Sequence, residues 1–125
     1  GNDTLVGGSG NDELLGQDGK DTLKGNGGND FLRGGDGNDI MNGGGGADIF
    51  AGGTGVDRVT GGAGNDTFLL ARGKGHLVIT DYKDGKDTAL LPDGVTFDDL
   101  KFITKGNDIR VKINGDLVAI AQNIL

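Results

Sequence analysis

A large apolar residue returns every nine positions through the first half of the chain: Leu5, Leu14, Leu23, Leu32, Met41, Phe50, Val59 and Phe68. A glycine-rich turn follows each one but Phe68, as in Leu5-Val6-Gly7-Gly8-Ser9-Gly10. One inward position in a run of three suits a short strand whose centre is buried and whose neighbours point out. The six residues between such runs include two to four glycines and can turn sharply through positive φ. Two units then close one coil, with strands on opposite faces and turns at both edges. The pattern predicts an all-β parallel β-roll over residues 1–70. Seven complete nonapeptides run from Gly7 to Leu69, preceded by the partial unit Gly1–Val6. With strands roughly 4.8 Å apart, about four coils would stand on the order of 20 Å tall.

From Leu70 the register fades, and residues 71–125 read as a capping segment. Leu70–Val78 keeps Gly73 and an inward Leu77, with Gly75 in the aspartate's place, and is predicted as a further half-coil. Thr96-Phe97-Asp98-Asp99-Leu100-Lys101-Phe102 reads as a helix start, one or two turns long, with Thr96 as cap and acids in the first turn. Asp108–Ile113 alternates Ile109, Val111 and Ile113; Asn114-Gly115 is a type I′ turn signal; Leu117–Ile120 returns as a hairpin. A stack of coils needs its open end covered, because bare strand edges and core would aggregate. Phe97, Leu100, Phe102 and the hairpin are expected to supply the apolar cover for Phe68 and Leu77.

Composition changes the picture by raising a cost. The chain of 125 residues holds 28 glycines, one proline, no cysteine and a net charge of −7. Ordering so much glycine is expensive, and an ordinary core cannot offset it. The acidic surplus disfavours nucleic acid as a partner. No apolar stretch is long enough to be a membrane-spanning segment. The acids are ordered: Asp3, Asp12, Asp21, Asp30, Asp39, Asp48, Asp57 and Asp66 stand nine apart, two residues before each apolar position. In a roll they form two ranks, Asp3, Asp21, Asp39 and Asp57 on one edge and Asp12, Asp30, Asp48 and Asp66 on the other. Like charges at coil spacing repel unless neutralised. Calcium takes six to eight oxygens at flexible geometry, which stacked turns can offer, whereas magnesium prefers to keep its waters. The plain alternative is that these aspartates only cap turns.

The repeats resemble the repeats-in-toxin (RTX) family, whose nonapeptide is G-G-x-G-x-D-x-U-x with U a large apolar residue; this pattern is a known calcium-binding one. The resemblance implies a right-handed parallel β-roll, with about six calcium ions held between turns one coil apart. The earlier turn gives the carbonyls of motif positions two and four, the later turn those of positions one and three, and each its aspartate. On one edge Gly1 and Asp3 would then face Gly16, Asp18 and Asp21. Gln17, Gly19 and Asp21 would face Gly34, Asp36 and Asp39, and Gly35, Gly37 and Asp39 would face Gly52, Thr54 and Asp57. On the other edge Gly8, Gly10 and Asp12 would face Gly25, Gly27 and Asp30. Asn26, Gly28 and Asp30 would face Gly43, Gly45 and Asp48, and Gly44, Gly46 and Asp48 would face Gly61, Ala63 and Asp66. Gly53 and Gly55, and Gly62 and Gly64, would open one or two further sites where the cap begins. Gln17 and Asn26 depart from glycine where only a carbonyl is needed. The run Asp81-Tyr82-Lys83-Asp84-Gly85-Lys86-Asp87 looks like the D-F-x-x-G-x-D stretch that often ends RTX arrays. Asp81 and Asp87 would complete the last calcium site, or form a solvated acidic turn.

No catalytic set can be assembled. His76 is the only histidine and Ser9 the only serine, and neither stands where a triad or zinc site could be built. The expectation is therefore a non-enzymatic, calcium-dependent folding and secretion module of a larger exported protein. It would be extracellular, passed by a type I exporter and joined to an upstream domain of the same polypeptide. Alternatives are an adhesin or polysaccharide-binding module using the outer face, or the C-terminal part of a calcium-dependent extracellular hydrolase or epimerase.

Overall fold

The computed structural model describes residues 1–73, 75–83 and 86–124, so Asp84 lies outside the described residues. The repeats form a parallel β-solenoid of about five coils, matching a β-roll. One face carries β1 (Thr4–Val6), β3 (Thr22–Gly27), β5 (Ile40–Gly45), the second half of β6 (Ile49–Ala63) and β8 (Gly75–Ile79). The other carries β2 (Glu13–Asp18), β4 (Phe31–Asp36), the first half of β6, β7 (Thr67–Leu69) and β9 (Thr88–Leu90). Every repeat pairs with the repeat two further on: Leu5 lies beside Leu23, Leu23 beside Met41, and Met41 beside Val59.

The core is narrow because each repeat contributes one apolar side chain. Leu23, Leu32, Met41, Phe50, Val59 and Phe68 are fully enclosed. Phe50 and Phe68 stack in register with ring centroids 5.3 Å apart. The strands are longer than a three-residue reading allows: β2 to β5 each span six residues, and β6 runs for 15. Ladder bonding continues into the turns, with Gly27 N–H donating to Gly8 O at 3.0 Å and Gly19 N–H to Asp36 O at 2.8 Å. The corners are thus part of the sheet and share its coil-to-coil spacing.

The cap departs from the repeats by small insertions. β8 pairs Gly75 with Gly55, Leu77 with Asp57 and Ile79 with Val59. Ile79, and not Leu77, therefore continues the core column, and Leu77 stands in the aspartate's register. The expected alignment of Gly75 with the aspartate is corrected by this two-residue slip. β10 (Leu100–Lys105), β11 (Asp108–Ile113) and β12 (Asp116–Ala121) then extend the first face, with β12 parallel to β8 and the rest antiparallel. The hairpin turn has φ of 47° at Asn114 and 93° at Gly115, the two positive values a type I′ turn needs. The expected helix shrinks to a 3-10 turn at Phe97–Asp99, where Asp99 Oδ2 accepts the Thr96 N–H at 2.8 Å. Leu100 onward is a strand, because its pairing with Ile113 and its neighbours outweighs local helix signals. Among the described residues no helix is long and apolar enough to cross a membrane.

Ile113, Val118 and Ala119 of the hairpin lie in one buried cluster with Leu77, Ile79 and Phe68. Phe97 and Phe102 do not: they are 71% and 51% exposed and lean on each other at 5.8 Å. Ile113→Ala should then cost about 2–5 kcal/mol, and Phe97→Ser about 0.5 kcal/mol or less. Urea unfolding of both variants in saturating calcium checks this, and similar losses would mean that the hairpin is not the cover.

Candidate metal centre

Six repeat aspartates, Asp21, Asp30, Asp39, Asp48, Asp57 and Asp66, are at most 2% exposed. Each uses Oδ1 in the same way, accepting the backbone N–H of the aspartate one coil earlier. Asp3 donates to Asp21 at 2.7 Å, Asp21 to Asp39 at 2.8 Å, and Asp39 to Asp57 at 2.9 Å. On the other edge Asp12 donates to Asp30 and Asp30 to Asp48, both at 2.8 Å, and Asp48 to Asp66 at 3.1 Å. The second oxygen, Oδ2, is buried in all six and has no hydrogen-bond partner. An orphaned carboxylate oxygen is costly, so six in register call for a counter-charge. Asp12, nearer the open end, uses Oδ2 to accept the Gly8 N–H.

The first glycine of each turn shows where the orphaned oxygens sit. A Cβ on Gly16 would lie 2.6 Å from Asp21 Oδ2 and 2.5 Å from the carbonyl of Gly34, one coil on. One on Gly7 would lie 2.5 Å from Asp12 Oδ2 and 2.7 Å from Gly25 O. Gly25, Gly34 and Gly43 repeat the arrangement against Gly43, Gly52 and Gly61. A carboxylate oxygen of one turn and a position-one carbonyl of the next therefore close on one small space. That space exists only because glycine has no side chain. Their φ values are not in the left-handed region, so close approach is the reason for glycine here.

Carbonyls of positions two and four of each earlier turn lie against the later one: Gly10 O faces Gly28, Gln17 O faces Gly35, and Asn26 O faces Gly44. Position-three carbonyls face back, with Asp36, Thr54 and Ala63 accepting from Gly19, Gly37 and Gly46. A carbonyl has two lone pairs, so such a bond leaves one for a cation. Gln17 and Asn26 hold φ of 76° and 75°, keeping the turn's shape despite a side chain. Among the described residues no three acidic or histidine side chains converge. A cation here must combine two carboxylates with backbone oxygens. This all-oxygen set fits calcium and offers nothing soft for zinc or copper.

The terminal acids differ from the repeat acids. Asp87 continues one rank, its Oδ1 accepting the Asp66 N–H at 3.0 Å and its Oδ2 the Lys83 N–H at 2.9 Å. Asp81 accepts the N–H groups of Gly61 and Gly62, both at 2.8 Å. All four of these oxygens have protein donors. A second ladder escaped the sequence reading. Asn2, Asn11, Asn29 and Asn38 each turn Oδ1 to the N–H one coil later, on Lys20, Asn29, Ala47 and Val56. The recurrence of asparagine just before the aspartate was the available signal.

Burial raises the carboxyls of Asp39, Asp48, Asp57 and Asp66. Asp57 is pushed up to about 7 by desolvation, with the charge of Asp39 adding and its backbone hydrogen bond opposing. Asp66 is pushed up to about 6 by burial and by the charges of Asp87, Asp48 and Asp81. Asp39 and Asp48 are raised for the same main reason. His76 shifts down through burial and the nearby Arg110 charge.

The family model described as RTX calcium-binding nonapeptide repeat (4 copies) matches the chain over residues 1–32, 15–50 and 42–77. No curated protein matches it.

Gly43→Ala should remove calcium from its slot, because the new methyl takes the space beside Asp48 Oδ2. Gly45→Ala meets nothing within 4 Å and should leave the calcium count unchanged. Counting bound ions by mass spectrometry separates the two, and equal losses would contradict the close-approach argument. A second expectation concerns pH. Between the ordinary 3.8 and about 7, the folded state holds a proton on Asp57 that the unfolded chain lacks. Protons thus favour the metal-free fold in that window, and this contribution disappears as pH rises through 7. Calcium must displace the same proton, so its affinity should fall as pH drops from 8 to 6, with proton release on binding. Calorimetry in buffers of different ionisation enthalpy measures both.

Proposed function

Because the chain belongs to the RTX calcium-binding nonapeptide repeat family, we propose that it is a calcium-ordered folding module of a larger exported protein, working outside the cell. One observation carries this reading: six buried aspartates each hold one oxygen that no protein group satisfies. Carbonyl oxygens of the facing turns lie beside these carboxylates and support such a site. Calcium, when bound, supplies the counter-charge and links the two turns of each slot.

Where calcium is scarce, two ranks of desolvated carboxylates oppose coil formation, and a glycine-rich chain has little else to order it. An unfolded chain suits passage through a narrow type I exporter. At extracellular calcium levels the binding energy becomes folding energy, since no slot exists before the coils stack. Three slots per edge would hold about six ions at two carboxylates per slot, turning the net charge of −7 to about +5. The ligands are the repeat aspartates with the position-one to position-four carbonyls on facing turns. The cap, residues 71–125, closes the far end through the hairpin, and an upstream domain of the same polypeptide carries the protein's other activity.

Circular dichroism of the whole chain in chelator, then in calcium, tests the switch. The expected result is disorder giving way to β structure with calcium, and much less change with equal magnesium. A chain already folded in chelator would falsify the reading. Asp39→Asn keeps an acceptor for the Asp21 N–H but loses the charge in two adjoining slots. It should raise the calcium midpoint more than Asp3→Asn, which touches one slot; equal shifts would count against the shared-ligand geometry.

A further inference from the structure

We infer that the free edge of β10 pairs with the same edge of a second copy of this chain, joining two caps through antiparallel strands centred on Phe102. β10 ends the strand order of its face, and among the described residues no strand pairs with its outer side. Asn114 N–H donates to Asp99 O at 3.4 Å. Antiparallel ladders alternate, so Lys101, Ile103 and Lys105 turn their backbone groups to β11, and Leu100, Phe102 and Thr104 turn theirs outward. An open row of this kind is a template for another strand. Beside it stand the two exposed phenylalanines, Phe97 and Phe102, in contact with each other. Phe102 also lines an apolar cleft with Ile79, Tyr82, Val111 and Ile124, so a ring laid beside it continues an apolar surface.

A second copy fits because this edge is self-complementary in one register. A two-fold axis at Phe102 sets each Phe102 opposite the other, Leu100 opposite Thr104, and Lys105 opposite Asp99 of the second copy, on both sides of the axis. The outward groups of the two Phe102 residues then bond to each other, their rings meet on the apolar side, and opposite charges face across the strands. An axis at Ile103 would instead oppose Lys101 to Lys105, and would ask for backbone groups that β11 already uses. The lysines thus exclude the neighbouring register and leave this one open. Leu100 N–H is already held by Phe97 O, so the new ladder is short and the dimer weak and concentration-dependent. The contact involves none of the aspartate turns and does not rest on the calcium reading.

Sedimentation equilibrium of the intact chain in saturating calcium, from low micromolar to near-millimolar protein, tests the pairing. Circular dichroism verifies that each variant is folded. The wild type should show a monomer–dimer equilibrium. Phe102→Lys sets two cations on the axis and should weaken it about tenfold or more. Val6→Lys, at an exposed position on the first strand of the roll, should leave it unchanged. Lys105→Glu should weaken it, because acids would then oppose each other across the strands. A wild type that stays monomeric throughout would overturn the inference, as would a dimer that Phe102→Lys leaves intact or that Val6→Lys weakens equally. A dimer strengthened by Lys105→Glu would set the axis at Ile103 and overturn it as well.

Discussion

Two ranks of buried carboxylates, one coil apart, set the terms on which this chain can fold. Each aspartate is drawn inward because its Oδ1 completes the backbone of the preceding coil. That service fixes the side chain and leaves Oδ2 enclosed at the first glycine of its turn. A neutral residue could not make the same structure more comfortably: a leucine in that register fills the space, as Leu77 does, and ends the rank. Stacking and charge are therefore inseparable, and every repeat that extends the core adds another carboxylate to be neutralised. A cation is the partner that satisfies both demands at once, since it binds oxygen from both turns.

Glycine serves this arrangement in two separate ways. At position one its missing side chain leaves room for Oδ2 and a carbonyl from the neighbouring coil. At position two the chain takes positive φ from Gln17 on, and from Gly35 onward it also lies against a carbonyl of the coil before; Gln17 and Asn26, in the first coils, keep that φ with a side chain. Substitutions in the repeats fall at the second glycine and never at the first. The core contributes one residue per repeat, too little to carry the fold against the entropy of the turns. The aspartate and asparagine ladders bind adjoining coils in opposite senses, the first reaching back and the second forward.

The roll was legible in the sequence because its period is strict and its side chains do one thing each. An inward residue every nine positions leaves no freedom in pairing, and a one-residue slip would bury the wrong set. The cap was legible only in part. Asn114-Gly115 specifies its turn through backbone φ alone, so the hairpin could be read locally. Leu100–Phe102 could not, because its strand state depends on pairing with Val111, Lys112 and Ile113. Leu77 was misaligned for a similar reason: two extra residues in an aperiodic stretch change which side chain meets Asp57, and nothing local marks the insertion. Phe97 and Phe102 were expected in the core on hydrophobicity, yet core capacity at the stack's end is taken by Ile113, Val118 and Ala119. The ligand set proposed for the repeats, being mostly backbone, could be named only through the repeat's resemblance to a known pattern.

Successive nonapeptides lie on alternate faces while each pairs two repeats on, so the roll has the symmetry of a two-fold screw. Its cap is attached to the last two repeats, and its hairpin extends the face that also carries β1. Repeat number therefore acts as an angular index. One nonapeptide added in the interior would turn the first coil by half a revolution relative to the hairpin and raise it by about half the roughly 4.8 Å strand spacing. A second would restore the orientation at the full spacing. Within this family of arrangements, parity decides which way the two ends of the rod face, and the count of pairs decides how far apart they stand.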